Sequence, residues 1–230
     1  MIFRPLASNL ERIHDHWRDP ILTGLTLLMV LDLFVVAPLG AAHAADIRPF
    51  SIGIVVLLAG GLVIVSRSVV PIVAIIAAIG ILGVSLVLQA RGGHATLDLC
   101  LEATSWLLVG FVIIWVVARA VFAAGRVTYH RVIGAILLYL TIGFVFVALF
   151  TLVGALFPGS FSGLPPTDRV SLPSSLVYFS FTTLTTVGFG DIVPVHPFAR
   201  SLTNVEAIFG QLYPATLLAR MVTLQIKSEQ

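Results

Sequence analysis

One stretch of the chain combines residue types suited to binding a cation. Residues 183–194, with the sequence TLTTVGFGDIVP, carry three threonines, two glycines and one aspartate between apolar neighbours. Gly188 and Gly190 can adopt backbone conformations that other residues rarely adopt, so successive carbonyl groups can point the same way. Together with the Thr186 hydroxyl, such a row of carbonyl oxygens could replace the water shell of a large monovalent cation.

The composition indicates the class of protein in which this stretch works. Of the 230 residues, 58% are hydrophobic and 10% are charged, and the mean hydropathy is +1.07. Soluble domains carry about 25% charged residues, so we expect an integral membrane protein. The formal net charge of +2 is too small to indicate a nucleic-acid partner. A single cysteine, Cys100, excludes a disulfide within the chain.

Six apolar segments are long enough, or nearly so, to cross the ~30 Å hydrocarbon core of a bilayer as helices. The second is short, and Arg67 extends it by reaching toward the interface. Residues 1–20 mix apolar side chains with arginines and predict a helix that lies in the membrane interface. The predicted spans are 21–39, 50–65, 70–88, 99–122, 132–156 and 199–224.

A segment of another kind lies between the fifth and sixth spans. Residues 158–173 are rich in glycine, proline and serine and predict a loop. Residues 174–184 are apolar and hydroxyl-rich but too few to span, so we expect a re-entrant half-helix. Irregular backbone at membrane depth is tolerated only where it is buried in protein or lines a water-filled cavity. The stretch after the half-helix must therefore face a pore or cavity, toward which the half-helix directs its negative end.

The distribution of basic residues predicts the orientation of the chain. With a cytoplasmic N-terminus, the inner segments hold nine arginine and lysine residues and the outer segments hold four. This asymmetry favours six crossings of the cell membrane with both termini in the cytoplasm. It places the half-helix and the glycine-rich stretch at the outer face.

Residues 185–191, TTVGFGD, resemble the selectivity filter of potassium channels, in a variant with phenylalanine where tyrosine is commoner. The order of outer helix, loop, pore helix, filter and inner helix also matches, so the resemblance extends over residues 131–224. The inner helix is similar to that of short bacterial ion channel proteins. The resemblance implies an all-α membrane fold of six transmembrane helices with a re-entrant pore helix and a filter, similar to the voltage-gated architecture.

The resemblance also implies a homotetramer, since four copies of one filter must surround one axis, and two sets of site residues. Backbone carbonyls and one hydroxyl would hold K⁺, the cargo, and no other cofactor is implied. The ion-binding residues would be Thr186 (carbonyl and hydroxyl), Val187, Gly188, Phe189 and Gly190. The residues that support the filter would be Thr185, Asp191, Tyr178, Thr182 and Glu206.

The chain divides at a basic linker, residues 119–131. We expect an interfacial segment at 1–20, a four-helix domain similar to a voltage sensor at 21–125, and a pore domain at 126–230. Membrane lipids are the expected surroundings of all three.

The chain departs from the family pattern at three positions. The fourth span carries Arg119 alone, whereas a voltage sensor needs several arginines, because one charge crossing 100 mV supplies only about 2.3 kcal/mol. We therefore expect weak voltage dependence or none. Phe189 lacks the phenolic hydroxyl that ties the filter to the pore helix in many relatives. Thr182 stands where some relatives carry an acid that pairs with the filter aspartate, so packing by aromatic residues of the pore helix should carry more of the filter's stability.

Four further residues have two interpretations each. Gly210 falls where the family places its gating glycine, and Pro214 removes a helix hydrogen bond, so the pair could form a hinge or serve ordinary packing. Glu206 lies one turn before Gly210 and could reach the pore-helix hydroxyls as a proton sensor or as a static support. Asp32, at mid-membrane, could be functional or could form a structural hydrogen bond.

Other classes of protein compete with a potassium channel. A less selective cation channel would share the architecture, and a potassium uptake subunit or secondary transporter would need four filters or two matching halves. A regulatory protein with a closed pore is a further alternative. The sequence contains no constellation for nucleophilic or metal-assisted catalysis, so we do not expect an enzyme.

Overall fold

The fold is built from helices, as the sequence predicts. The computed structural model describes residues 20–41, 57–58, 60–62, 69–92, 95–122, 129–164 and 171–228. The helices are α1 (20–41), α2 (Val69–Ala90), α3 (Ala95–Val121), α4 (Tyr129–Leu156), α5 (Ser171–Leu184) and α6 (Pro197–Ser228), with helical residues also at 57–58 and 60–62. Two short strands, β1 (Phe161–Ser162) and β2 (Val193–Pro194), accompany them.

In the described part of the chain, four helices are long and apolar enough to cross a membrane. They are Pro20–Leu39, Val69–Ala90, Thr96–Val121 and Val132–Leu156, and each coincides with a predicted span. Most of the predicted second span and almost all of the predicted interfacial segment lie outside the described residues. The predicted sixth span is the helix α6, which is less apolar because polar residues such as Asn204 and Glu206 interrupt it.

Helix α4 is the central element of the fold. In an apolar 18-residue segment of α4, 61% of the residues are buried, against 22% in the corresponding segment of α2, although both helices are apolar all round. An apolar helix that is buried on most sides belongs to the interior. It packs against α3, α5 and α6, and α5 and α6 also pack against each other.

Helix α1 contains a π-helical stretch, Asp32–Val36, in which the N–H of Ala37 donates to the Asp32 carbonyl. Such a stretch widens the helix locally and changes the direction of the side chains around it. The ring of Phe34, within the stretch, meets the ring of Phe181 on α5 edge to face, with centroids 5.5 Å apart. The wide turn of α1 thus lies beside the predicted pore helix.

An aromatic cluster forms the core around α5. Phe150 of α4, Phe161 of β1 and Phe179 of α5 meet pairwise edge to face, with ring centroids between 5.0 and 5.6 Å apart. This geometry is preferred because the positive edge of one ring meets the negative face of another. Ile192, just beyond the glycine-rich stretch, is buried in the same core. The cluster therefore joins three segments that are distant in sequence.

The two strands tie the loop before α5 to the segment after it. Phe161 pairs with Pro194 and Ser162 with Val193 in antiparallel register. The Ser160 carbonyl extends the contact by accepting hydrogen bonds from the next two backbone N–H groups, those of Val195 and His196, at 2.8 and 3.2 Å. The sequence did not predict these strands.

At the opposite end of α6, an arginine connects two helices. Nη2 of Arg220 donates to the carbonyl of Phe122, which follows the last residue of α3, at 3.0 Å. Its guanidinium also lies over the Phe122 ring, 4.6 Å from the centroid. A cation near the carbonyl end of a helix is stabilised by the helix dipole, so this contact holds the end of α3 against α6. Arg119, the lone arginine of α3, lies over the ring of Trp115 on its own helix.

We expect Phe150→Ala to lower the free energy of unfolding by about 3–5 kcal/mol, because the change opens a cavity in a fully buried site. Phe111→Ala in α3 is the matched control: the Phe111 side chain is 57% exposed, so its removal should change the free energy of unfolding much less. Denaturant titration of the purified proteins in detergent, followed by circular dichroism, measures both. Equal losses in the two variants would contradict a core around the Phe150 ring.

Candidate functional site

The glycine-rich stretch is attached to the C-terminus of α5 by its own backbone. Helix α5 ends at Leu184, as predicted, and the last four carbonyl groups of a helix have no partner within it. The Thr182 carbonyl accepts hydrogen bonds from the N–H groups of Val187 and Gly188, at 2.9 and 3.1 Å. The Thr183 carbonyl accepts one from Thr186 N–H at 2.8 Å. The chain thus folds back on the helix end directly after leaving it.

The other two terminal carbonyl groups are satisfied on either side of this turn. The Phe181 carbonyl accepts hydrogen bonds from the N–H and the hydroxyl of Thr185, at 3.0 and 2.6 Å. The Leu184 carbonyl accepts one from the Tyr139 hydroxyl of α4, at 3.2 Å. All four carbonyl groups therefore have partners, which a helix end buried away from water requires.

These bonds determine where the carbonyl groups of the glycine-rich stretch point. In a planar trans peptide the C=O and the following N–H point in opposite directions. The N–H groups of Thr186, Val187 and Gly188 point back to α5, so the carbonyls of Thr185, Thr186 and Val187 point away from it. Among the hydrogen bonds of the described residues, none ends on a carbonyl oxygen of residues 185–190. In the described part of the chain, these oxygens therefore have no hydrogen-bond donor.

The backbone dihedral angles of the stretch alternate. Thr186, Gly188 and Gly190 have positive φ angles of 60°, 54° and 79°, and the residues between them do not. Glycine takes such angles without steric cost, which explains two of the three positions. Thr186 is the only non-glycine residue with positive φ in the described part of the chain, a conformation that costs about 1–2 kcal/mol for a residue with a side chain.

Tyr178 of α5 contacts the end of the stretch that lies next to Asp191. Its ring stacks on Phe189 at 5° between the planes, with centroids 6.1 Å apart. The Tyr178 hydroxyl also forms a hydrogen bond with Asp191. The phenol is the donor in this bond because a carboxylate can only accept, and Oδ1 of Asp191 also accepts from the N–H of Ile192 at 3.0 Å. Tyr178 thus supplies a hydroxyl near the glycine-rich stretch although Phe189 has none.

The remaining predicted support residues, Thr182 and Glu206, act on different sides of α5. The Thr182 hydroxyl donates to its own helix, at the Phe179 carbonyl, so Thr182 contacts the glycine-rich stretch through its backbone oxygen. Glu206 of α6 is fully buried and accepts a hydrogen bond from the Ser180 hydroxyl, which also lies 2.9 Å from the Gly143 carbonyl of α4. Ser180 and Glu206 thus link α4, α5 and α6 behind the stretch.

The two predicted hinge residues have different surroundings. A Cβ on Gly210 would overlap the Leu184 carbonyl, so glycine is required for α6 to approach the end of α5 this closely. Pro214, an exposed residue inside α6, has no N–H for the carbonyl four residues earlier, which is that of Gly210. Gly210 therefore combines two features: it packs against the end of α5, and its carbonyl lacks the usual helix hydrogen bond.

Sequence reasoning missed several residues of this site. Tyr139, Ser180 and Gln211 contribute side-chain hydrogen bonds to α5, to Glu206 and to Thr186. Gly163, with φ of +84°, has its Cα against the Asp191 carbonyl. A polar residue within an apolar helix was the available signal for Tyr139 and Gln211, but it does not indicate the partner. Asp32, which the sequence singled out, makes no described contact with the stretch.

A comparison with known protein families supports the class of protein that this geometry suggests. Residues 134–226 match the ion channel family. The match begins in α4 and ends in α6, so it includes the aromatic cluster and the glycine-rich stretch, and it covers less than half of the chain. The family description does not specify the ion. A search of curated proteins finds no match to the chain.

We expect Gly210→Ala to lower the melting temperature, because its methyl group would push α6 away from the Leu184 carbonyl. Overpacking of this kind costs about 1–3 kcal/mol. Gly154→Ala in α4 is the matched control: its methyl group would meet open space, and helix propensity favours alanine by up to about 1 kcal/mol. Thermal melting of both variants in detergent checks the contrast. Equal melting temperatures would show that the close approach at Gly210 does not limit stability.

Proposed function

We propose that this chain is the subunit of a potassium-selective channel that conducts K⁺ passively across the cell membrane. The observation that carries the proposal is the backbone of residues 185–190. The N–H groups of residues 185–188 are bonded to the end of α5, the φ angles of the stretch alternate, and its carbonyl oxygens accept no hydrogen bond from the described residues. An array of free carbonyl oxygens suits a cation that must lose its water shell to pass.

In this proposal each K⁺ ion exchanges water for protein oxygens. The carbonyl oxygens of Thr186, Val187, Gly188 and Phe189, with the Thr186 hydroxyl, supply the ligands. Gly190 allows the chain to turn outward to Asp191. The negative end of the α5 dipole favours a cation in the water-filled space beside it. Conduction needs no chemical step, so the protein is not an enzyme.

Four identical subunits complete the pore in this proposal. In the single chain the stretch is exposed, with Val187 at 55% and Phe189 at 69% of full accessibility. Exposed apolar residues continue along α6, so this face meets either lipid or another subunit, and the exposed stretch beside it favours a subunit. A closed ring of like subunits is the usual way to bury it. The residues of this face of α6 are Val205, Ile208, Phe209 and Leu212.

The expected topology completes the proposal. Both termini lie in the cytoplasm, lipids surround the outer helices, and six helices per chain cross the membrane. The moderate hydropathy of α6 suits a helix that faces protein and water more than lipid. Arg119 is the lone arginine of α3, so voltage should shift the open probability weakly.

Reversal potentials in planar bilayers test ion selectivity. With K⁺ on one side and Na⁺ on the other, we expect a reversal potential beyond about 59 mV, the value for a tenfold preference. A value near zero would instead identify a less selective cation channel, and the absence of current would contradict conduction.

A glycine pair tests whether the filter backbone carries this selectivity. Gly188→Ala should abolish selective K⁺ current, because alanine disfavours the positive φ of this position. Gly159→Ala is the matched control, since Gly159 has a φ of +81° and open space but lies in the loop before α5. If both variants conducted K⁺ like the unchanged protein, the filter assignment would be wrong.

A further inference from the structure

The side chain of Gln211 makes a direct bond between α6 and the filter. Its Nε2 lies 3.1 Å from the hydroxyl oxygen of Thr186. An amide N–H can only donate, so the threonine oxygen is the acceptor. The bond reaches the one described non-glycine residue whose backbone has positive φ, at the inner end of the carbonyl row.

The position of Gln211 follows from its neighbour. Gly210 brings α6 against the carbonyl of Leu184, and Thr186 lies two residues beyond that carbonyl. The next residue of α6 is therefore held beside the Thr186 side chain. Its exposed neighbours on α6 are apolar, with Ile208 and Leu212 both 57% exposed. An amide on this apolar face with its donor on the filter is placed to act on Thr186.

The hydrogen bond from Gln211 limits the directions in which the Thr186 hydroxyl can point. The Thr186 oxygen has two lone pairs and one proton. When one lone pair accepts from Gln211, the other remains for a cation, and the O–H proton must turn away from both. Gln211 thereby fixes the rotation of the hydroxyl that would otherwise point its proton or its lone pairs toward an ion.

We propose that Gln211 is a positioning residue that sets the innermost ion site by orienting the Thr186 hydroxyl. The inference rests on the proposed function, because it assigns a residue to the same pathway. Gln211 hydrogen-bonds to the Thr186 hydroxyl, and no described hydrogen bond joins it to a carbonyl of the stretch, so we expect its effect at the site that uses the hydroxyl. The ligand is a dehydrated cation of the size of K⁺.

Block by Ba²⁺ measures this site. Ba²⁺ has nearly the radius of K⁺ and twice its charge, so it remains longer at oxygen sites of a K⁺ pathway. Gln211→Met keeps the length of the side chain and removes the bond. In planar bilayers with Ba²⁺ on the side of the inner end of α6, we expect the blocking affinity to fall about two- to tenfold, the factor that one hydrogen bond contributes. The ratio of K⁺ to Na⁺ permeability should fall with it.

Two further variants make the result specific. Gln89→Met is the matched control, since Gln89 Nε2 donates to Ser85 Oγ at 3.4 Å within α2. This variant should leave Ba²⁺ block unchanged. Gln211→Asn keeps the amide but is one methylene too short for the bond, so it should weaken block as Gln211→Met does. It also serves as the second measurement if the methionine variant does not fold.

The outcomes separate this inference from the proposed function. Weaker Ba²⁺ block in both Gln211 variants, at a melting temperature equal to that of the unchanged protein, supports the positioning role. Unchanged block in either Gln211 variant overturns it and leaves K⁺ conduction standing. An unchanged protein that carries no K⁺ current overturns the proposed function and this inference together.

Discussion

The end of α5 imposes the constraint on which the site depends. Its last four carbonyl groups have no partner within the helix and need donors. The glycine-rich stretch supplies donors for three of them from its own backbone, and in doing so it turns the carbonyl oxygens of Thr185, Thr186 and Val187 the other way. The same hydrogen bonds therefore satisfy the helix end and produce the row of outward-pointing carbonyl oxygens. A segment whose N–H groups bonded elsewhere would not have this row.

The elements packed around α5 hold that helix end in position. Tyr139 donates to the Leu184 carbonyl from α4, and Gly210 lets α6 approach the same group from the other side. Aromatic rings around Phe179 and the pair of strands fix the outer side. This framework must also offset the strain of Thr186, since a left-handed threonine persists only where its surroundings hold it.

Much of this arrangement could be predicted from the sequence, where local patterns are decisive. Four spans follow from length and apolarity, and α5 ends at Leu184 because threonines and glycines replace the apolar pattern there. The sequence predicts that α5 begins at Ser174, three residues later than it does, because the loop before the helix is rich in the same serines and prolines as its first turn. The glycine-rich stretch could be singled out because irregular backbone in a membrane occurs only where it is buried in protein or lines a cavity.

What could not be predicted depends on partners far apart in the chain. Nothing local indicates that Phe161 pairs with Pro194, or that Tyr139 reaches a carbonyl 45 positions away. The position of Glu206, one helical turn before Gly210, predicts that it meets a hydroxyl of the pore helix, but which hydroxyl it meets depends on how α6 crosses α5, and it is that of Ser180.

The hydrogen bonds also make the row of carbonyl oxygens unevenly rigid. Tethered peptide planes make the half next to α5 rigid, whereas in the described hydrogen bonds the N–H groups of Phe189 and Gly190 lack such a tether, so the half next to Asp191 can rotate at lower cost.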